Sequence, residues 1–204
     1  SDVCSSDLAY GTRIDLYIYY DKGLDAPHET IDYLTEVANY VFNNMLVDLE
    51  VRVVGKKKVN VSSSAVLDDL LEDMKSNNPP FDSIDTDIST TGADLVHLIV
   101  GEHKNDDKYC GLAQIGPWRG LGFRDDVSGA SYYGGGCYND TFIHELGHNL
   151  GSLHDRETDP DGTGAYHYSR GSRVAGEYRS VMAYGGESEF PIYPTFSWPT
   201  IKCG

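Results

Sequence analysis

Three histidines in the second half of the chain have the spacing of metal ligands. His144 and His148 lie four residues apart, and His154 follows six residues later. Side chains four residues apart on an α-helix lie on one face, one turn apart, so the first two imidazoles can aim at a single point. A catalytic zinc ion takes three protein ligands and keeps a fourth position open. The spacing therefore predicts one zinc ion held by these three histidines.

The third ligand requires the helix to end before it. In an unbroken helix His154 would lie ~15 Å from His144 along the axis and could not share its metal. Gly151 stands between His148 and His154. Glycine accepts the left-handed conformation in which helices end and the chain turns back. We therefore expect a helix through Asn149 and a sharp turn at Gly151.

Glu145 follows the first of the three histidines. On a helix it is rotated by roughly 100° from that neighbour, yet its side chain is long enough to reach a water at the metal. This is the position of a general base in metal-dependent hydrolysis. A purely structural zinc is the alternative, but such a site normally uses four protein ligands and would leave Glu145 without a role.

Two separated motifs resemble those of one known clan. Residues 144–155 read HELGHNLGSLHD and resemble the HExxHxxGxxH zinc signature of the metzincins. Asp155 after the third histidine resembles the adamalysin or reprolysin branch and its bacterial relatives, which include peptidyl-Asp metalloendopeptidases. Residues 180–185, SVMAYG, resemble the Met-turn beneath the zinc. The resemblance implies a secreted zinc endopeptidase with a protein or peptide substrate and an inhibitory propeptide.

The resemblance also implies roles for individual residues. Glu145 would act as base and then as acid, Met182 would form a hydrophobic floor, and Asp155 would anchor a turn. Residues 110–113, CGLA, resemble the edge strand that binds substrate, which assigns this role to Gly111, Leu112 and Ala113. The pocket for the residue after the cleaved bond would then lie between the zinc helix and the segment that follows Met182.

Tyr184 stands two residues after the Met-turn methionine. In some metzincin branches, though not typically in adamalysins, a tyrosine at this place binds zinc or hydrogen-bonds the reaction intermediate. An ordinary wall of the cleft is the alternative. The resemblance to peptidyl-Asp enzymes further makes arginines candidates for an acidic substrate side chain, with solvated surface charge as the alternative for each. These are Arg119, Arg124, Arg170, Arg173 and Arg179.

Hydrophobic periodicity predicts the elements that position these residues. Strands are expected at 14–20, 49–61 and 93–100, an amphipathic helix at 29–45, and a short helix after Ser64. This order predicts a layered α/β sheet covered by helices. The resemblance implies an α/β (α+β) fold of metzincin type, with a twisted mixed sheet, covering helices and an active-site helix. We expect one catalytic domain over 1–204. Its N-terminal lobe would be 1–151, and a small irregular C-terminal lobe with the Met-turn would be 152–204.

Composition limits the partners. The chain of 204 residues carries a formal net charge of −16, which disfavours nucleic acid and anionic membranes. No apolar run approaches the ~20 residues of a membrane span. We expect a secreted monomer. Residues 159–164 are rich in Asp and Gly, and their oxygen donors could hold calcium. An ordinary turn is the favoured interpretation.

The four cysteines are widely spaced and form no CxxC pair, so neither a zinc ribbon nor a redox site is indicated. Two disulfides in an oxidising compartment are the favoured interpretation, with four free thiols as the alternative. Three pairings are possible. We favour Cys110 with Cys137 and Cys4 with Cys203, because the first would fasten loops on either side of the cleft.

Two functions from other classes remain open on the sequence alone. The first is a non-catalytic, zinc-containing binding or adhesion module built on a protease fold. The second is a zinc hydrolase that acts on a non-peptide substrate. The presence of Glu145 with all three histidines favours the peptidase over the first of these.

Overall fold

A computed structural model gives the fold. It describes residues 11–45, 48–101, 108–116, 128–137, 139–162, 164–185 and 192–197. Within these residues the chain forms a five-stranded sheet, a separate two-stranded ribbon and four helices. In chain order the elements are β1 (Thr12–Asp21), α1 (Pro27–Asn44), β2 (Leu49–Val59), α2 (Leu67–Lys75), α3 (Ile84–Thr91), β3 (Leu95–Val100), β4 (Gly111–Ala113), β5 (Ser128–Tyr132), α4 (Thr141–Asn149), β6 (Arg173–Val174) and β7 (Tyr178–Arg179).

The sheet is mixed, with the strand order β2-β1-β3-β5-β4. The first four strands in this order are parallel, and β4 runs antiparallel to β5 at the edge. Parallel neighbours need crossover connections, which the helices supply. Both β5 and the antiparallel β4 contact α4, and Gly111 of β4 packs against Glu145, which places the sheet edge beside the three histidines.

Two hydrophobic cores cover the two faces of the sheet. Along β1, Leu16 and Ile18 join the core that includes residues of α1 and α4. Tyr17 and Tyr19 point the opposite way and join residues of α2 and α3. This alternation follows from the two-residue period of a strand. The active-site helix α4 is therefore part of the core on one face.

The helices are short. The longest, α1, has 18 residues, and α4 has 9. In the described part of the chain, no helix combines the length and the apolar character needed to cross a membrane. Beyond α4 the described residues form only the two-residue strands β6 and β7, so this region is mostly irregular.

The predicted mixed α/β fold with covering helices is confirmed. The sequence did not predict α3, because its sequence IDTDISTT consists largely of residues with low helix propensity and buries only Ile84. The short helix expected after Ser64 begins at Leu67, with Val66 as its N-cap. Asp140 occupies the N-cap of α4 without a capping hydrogen bond from its side chain.

Candidate metal centre and active site

The end of α4 carries the turn that the third histidine requires. Gly151 has φ of 85°, in the left-handed region that glycine tolerates. The amide of Gly151 donates to the carbonyl of His148 at 2.8 Å, and the amide of Ser152 donates to the carbonyl of Gly147 at 2.9 Å. This pair of bonds is a Schellman motif, which ends a helix and reverses the chain. The predicted turn at Gly151 is present.

The turn brings the three imidazoles together. Nε2 of His154 lies 3.2 Å from Nε2 of His144 and 3.1 Å from Nε2 of His148. All three ligand atoms lie within 4.8 Å of one another. Beyond the helix, Leu153 exchanges main-chain hydrogen bonds with Ser169 and Gly171, which fixes the position of His154. Spacing alone predicted this convergence.

Backbone carbonyls orient two of the three rings. Nδ1 of His144 lies 2.8 Å from the carbonyl oxygen of Val181, and Nδ1 of His148 lies 2.8 Å from that of Ser152. A carbonyl can only accept, so each Nδ1 carries the proton and donates it. Each Nε2 then presents a lone pair toward the shared point. Metal-binding histidines are commonly held in this way by a second hydrogen bond.

The donor set fits zinc. Burial, and then the neighbouring His148, lowers the pKa of His144 to about 3. Burial, and then His154, lowers the pKa of His148 to about 4, so both rings are neutral at pH 7. Facing lone pairs repel unless a cation lies between them. Zn–N bonds of about 2.0–2.1 Å in tetrahedral geometry place ligand nitrogens roughly 3.3 Å apart, close to the spacing observed.

Glu145 lies beside the histidines and is only 3% exposed. Its Oε2 has no hydrogen-bond partner among the described residues. Burial raises the pKa of Glu145 to about 8. The carboxylate packs against the backbone of Gly111, where any side chain would collide with it. A buried carboxyl group without a protein partner is the kind of group that active sites retain.

Asp155 anchors the segment beneath the metal centre. Its carboxylate accepts hydrogen bonds from the hydroxyl of Thr158 at 2.8 Å and from the amide of Tyr184 at 3.2 Å. Arg173 lies 3.3 Å from the same carboxylate and donates to the carbonyl of Tyr184 at 2.9 Å. Although burial raises the pKa of Asp155, these hydrogen bonds outweigh it and the pKa is lowered.

Met182 is fully buried, and Ala183 donates to the carbonyl of Ser180 to close the turn around it. A Cβ on Gly147 would collide with the sulfur of Met182 and the ring of Phe196. Helix α4 therefore rests directly on this turn. The arrangement places Met182 beneath the helix segment that joins His144 to His148.

The ring of Tyr184 covers the histidines from the solvent side. Its centroid lies 4.2 Å from that of His154 and 5.8 Å from that of His144. The residue is 47% exposed. Burial, and then the charge of Glu145, raises the pKa of Tyr184, so the phenol is protonated and can donate a hydrogen bond at pH 7.

The edge strand β4 is tied to both ends of α4. Gly111, Leu112 and Ala113 pair with β5, and the preceding Cys110 forms a disulfide with Cys137. Beyond β4, the side-chain amide of Asn149 donates to the carbonyls of Gln114 and Ser128 at 2.9 and 3.0 Å. No local pattern around Asn149 indicates this role, since only the fold brings these carbonyls to it.

A pocket of about 360 Å³ opens beside the metal centre. One wall is the first part of α4 with His144 and Glu145, and another is Tyr184 with Gly185. The remaining lining residues are Lys108, Tyr109, Cys110, Gly111, Asp140, Thr141 and Arg179. The pocket thus lies between the helix and the segment after Met182.

Residues 28–155 match the sequence model described as Metallo-peptidase family M12B Reprolysin-like. The chain belongs to this family. The resemblance read from the two motifs is therefore confirmed at the level of the family. Metallopeptidases of the M12 group use zinc, and the triad of His144, His148 and His154 could hold a metal ion.

Two curated bacterial proteins named Peptidyl-Asp metalloendopeptidase are similar to this reprolysin-like chain. The one from Xanthomonas campestris pv. campestris is 34% identical over 129 residues, which cover 62% of the chain and 28% of that protein. The one from Pseudomonas aeruginosa is 27% identical over 227 residues, which cover 98% of the chain and 37% of that protein. The chain thus spans well under half the length of either relative.

Two solved structures share the fold. Metalloproteinase-II from Bacteroides fragilis matches 78% of this chain and 48% of its own, with a TM-score of 0.53 and 20% identity. A chain in a structure titled as a chaperone-substrate complex matches 93% of this chain and 29% of its own, with a TM-score of 0.69 and 19% identity. At such identities the likeness is one of fold.

Two of the candidate arginines do not line this pocket. Arg170 donates to the carbonyls of Asp159 and Gly162, and Arg173 pairs with Asp155 and Glu157. Of the five candidate arginines, Arg179 lines the pocket. Cys4, Cys203, Arg119 and Arg124 lie outside the described residues, so their predicted roles stay predictions.

Proposed function

We propose that the chain is the catalytic domain of a zinc-dependent endopeptidase. The observation that carries this proposal is the convergence of three imidazoles, two of them buried, beside the buried carboxyl group of Glu145. Membership in a metallopeptidase family supports it. His144, His148 and His154 would bind the ion. Because the chain spans 28% and 37% of its two relatives, the activity is proposed for this domain and not read from their names.

Glu145 is proposed as the general base. Zinc bound at this site would supply Lewis acidity, which polarises a carbonyl and lowers the pKa of water toward ~7. Glu145 accepts the proton that the attacking water gives up as its oxygen bonds to the scissile carbon. It then delivers this proton to the leaving amine nitrogen as the C–N bond breaks. A zinc ion bound beside Glu145 would counter the effect of burial on its pKa and favour the ionised carboxylate, which can accept a proton.

Gly111, Leu112 and Ala113 are proposed to bind the substrate backbone. They form an edge strand with one described neighbour, β5, so its other side can pair with an extended peptide. Main-chain hydrogen bonds would give affinity for many sequences, and selectivity would come from pockets. Glu145 packs against Gly111, so a peptide on β4 passes directly beside the base.

Tyr184 is proposed to stabilise the oxyanion. Its ring lies against His154, and its phenol remains protonated at neutral pH, so it can donate a hydrogen bond where negative charge develops. Asp155 and Arg173 hold its backbone on both sides. Asp155, Gly151 and Met182 are proposed as structural residues of the site.

The lobes are proposed as 1–151 with α4 and 152–204 with the Met-turn, in a single domain over 1–204. The pocket supports this division, because Gly111 and His144 line it from the first part and Tyr184 from the second. We further propose secretion, since the Cys110–Cys137 disulfide fits an oxidising compartment. A monomeric state and a propeptide are proposed from the resemblance. We do not propose a calcium site at 159–164, because the carbonyl oxygens of Asp159 and Gly162 accept hydrogen bonds from Arg170.

The proposal is tested by digestion of casein and of an internally quenched peptide. We expect about one zinc per chain, loss of cleavage with a chelator and recovery on adding zinc. Glu145→Gln should lower kcat/KM by roughly 100-fold to 10,000-fold while zinc stays bound. Glu36→Gln is the matched control, because Glu36 is exposed on α1, away from the site.

Full cleavage by Glu145→Gln would contradict the base role. Zinc-loaded protein that cleaves neither substrate would favour a binding module. Hydrolysis of a glycan or another non-peptide substrate without peptide cleavage would favour the other zinc hydrolase.

A further inference from the structure

We propose that Tyr109 and Tyr184 form an aromatic clamp on the substrate chain just after the cleaved bond, with Tyr109 contacting the second residue of the leaving segment. The leaving segment is the part of the substrate that follows the cleaved bond. This inference rests on the proposed peptidase function. It adds one substrate-binding residue and a minimum length of substrate beyond the cut.

The two tyrosines belong to different walls of the pocket beside the metal centre. Tyr109 lines it from the residues that lead into β4, and Tyr184 lines it from the segment after Met182. Their exposed fractions are 41% and 47%. After burial and the charge of Glu145, an electrostatic interaction with Tyr109 also raises the pKa of Tyr184, so the two phenols lie within reach of each other. Two aromatic side chains from separate parts of the chain therefore meet at one opening.

The backbone beneath each ring is held in place. Next to Tyr109, Cys110 is fixed by its disulfide, and its carbonyl accepts a hydrogen bond from the amide of Tyr132 at 2.8 Å. The amide of Tyr184 donates to the carboxylate of Asp155 at 3.2 Å. Tyrosine offers a large contact area and has few rotatable bonds, so ordering it on binding costs little entropy. A pair of tyrosines on fixed backbones is therefore well suited to hold a peptide.

The direction of the substrate decides which part of it meets Tyr109. Antiparallel pairing is the more stable, so an extended peptide would run from Ala113 toward Gly111 along β4. Because Glu145 packs against Gly111, the cleaved bond lies near Gly111. Tyr109 precedes Gly111 by two residues and so lies further along the same path. The peptide therefore reaches Tyr109 only after it has passed the base.

The spacing along the path gives the length of substrate that the clamp requires. Two extended chains that pair side by side both advance about 3.3 Å per residue, so two positions on the protein correspond to two on the peptide. Tyr109 then contacts the second residue of the leaving segment. Tyr184 lies closer to the metal centre, with 4.2 Å between its ring centroid and that of His154. A substrate that ends one residue after the cut would not reach Tyr109.

The alternative is that Tyr109 is an ordinary exposed tyrosine. Single exposed aromatic side chains are common on protein surfaces and need no function. A substitution of Tyr109 could lower activity under either interpretation, for example through a smaller folded fraction. Only the clamp predicts that the loss depends on how far the substrate extends beyond the cut. A series of peptides of different lengths therefore separates the two interpretations.

The experiment uses zinc-loaded protein and C-terminally amidated peptides that share one cleavage site and extend one, two or three residues past it, with phenylalanine second. Chromatography and mass spectrometry locate the cut and measure the products. We expect the second residue to raise kcat/KM of wild type by roughly 3-fold to 10-fold, the range of an aromatic contact, and the third to add little. Tyr109→Ala should remove most of this gain, and Tyr109→Phe should keep it, because the ring makes the contact. All peptides meet the same preparation, so the gain does not depend on the folded fraction.

Two further variants complete the test. Tyr184→Phe should lower kcat on every peptide, since it removes the phenol, but should keep the gain, since it retains the ring. Tyr40→Ala is the matched control, because Tyr40 is 58% exposed on α1 and does not line the pocket, and its gain should match wild type.

A wild-type enzyme without the gain would overturn the inference, as would a gain that survives Tyr109→Ala. Tyr109→Ala that instead changes the response to residues before the cut would overturn it too. Zinc-loaded protein that cleaves neither these peptides nor casein would overturn the peptidase function, so the two failures are distinguishable.

Discussion

The carboxylate of Asp155 accepts a hydrogen bond from the backbone amide of Tyr184 across 3.2 Å. Asp155 directly follows the third histidine, and the ring of Tyr184 lies 4.2 Å from that histidine, measured between centroids. Arg173 closes the arrangement by contacting both Asp155 and the carbonyl of Tyr184. One buried carboxylate thus couples the position of His154 to the position of the ring that covers it.

Asp155→Ala should therefore reduce both stability and activity. The substitution removes the acceptor of four hydrogen bonds and the buried partner of Arg173. Loss of one partner of a buried ion pair costs about 3–5 kcal/mol. Denaturant unfolding at pH 7 measures the loss. Glu157→Gln is the control, because Glu157 binds the same arginine from an exposed position and should cost about 0–1 kcal/mol. Equal losses in the two variants would contradict the anchoring role.

The contact between α4 and the Met-turn predicts an unusual effect of alanine. In a free helix Gly147→Ala would stabilise by about 0.5–1 kcal/mol. Here its Cβ would meet Met182 and Phe196, and overpacking of this kind costs about 1–3 kcal/mol. We expect net destabilisation in thermal and denaturant unfolding. In a double-mutant cycle, Gly147→Ala should cost less when Met182→Ala is also present, and a cycle without coupling would rule out this contact as the cause.

The parts of the site that sequence could predict are those set by local geometry. The four-residue spacing of His144 and His148 and the left-handed turn at Gly151 depend only on helix geometry and on glycine, and the structure shows both. The strands of the sheet were predictable for the same reason, because each carries its own hydrophobic pattern. Such patterns depend only on residues close together in the sequence.

The parts that could not be predicted depend on residues far apart in sequence. Asn149 reaches Gln114 across 35 positions, and Asp155 reaches Tyr184 across 29. Arg173 and Arg179 were equivalent candidates in the sequence. Only the fold separates them, since it directs Arg173 to a carboxylate and Arg179 to the pocket. No local pattern distinguishes two arginines with different distant neighbours.

The disulfide between Cys110 and Cys137 should support substrate binding more than zinc binding. It closes a separation of 27 residues and fastens the start of β4, whereas it touches none of the three histidines. Cys110→Ser should lower stability by about 2–4 kcal/mol and raise KM more than it lowers kcat. Cys137→Ser should have the same effect, and the double variant should cost no more than either single one, because all three lose the same bond. Loss of zinc with an unchanged KM would contradict this expectation.

His97 should make the zinc-free protein sensitive to mild acid. It is fully buried, its Nε2 lies 2.9 Å from the hydroxyl of Ser131, and burial lowers its pKa from 6.5 to about 3. Below pH 6.5 His97 is protonated in the unfolded chain but stays neutral in the folded one. The free energy of unfolding therefore decreases as the pH falls from the unfolded pKa toward the folded pKa.

The slope of this loss is measurable by comparison with a variant that cannot titrate. Between about pH 6 and pH 4, the free energy of unfolding of wild type should fall by roughly 1 kcal/mol per pH unit more than that of His97→Gln. Denaturant unfolding with a chelator present gives both curves, and the histidines of the metal centre contribute equally to each. His28→Gln, at an exposed position, should follow wild type. Parallel curves for wild type and His97→Gln would show that His97 already takes up its proton in the folded state.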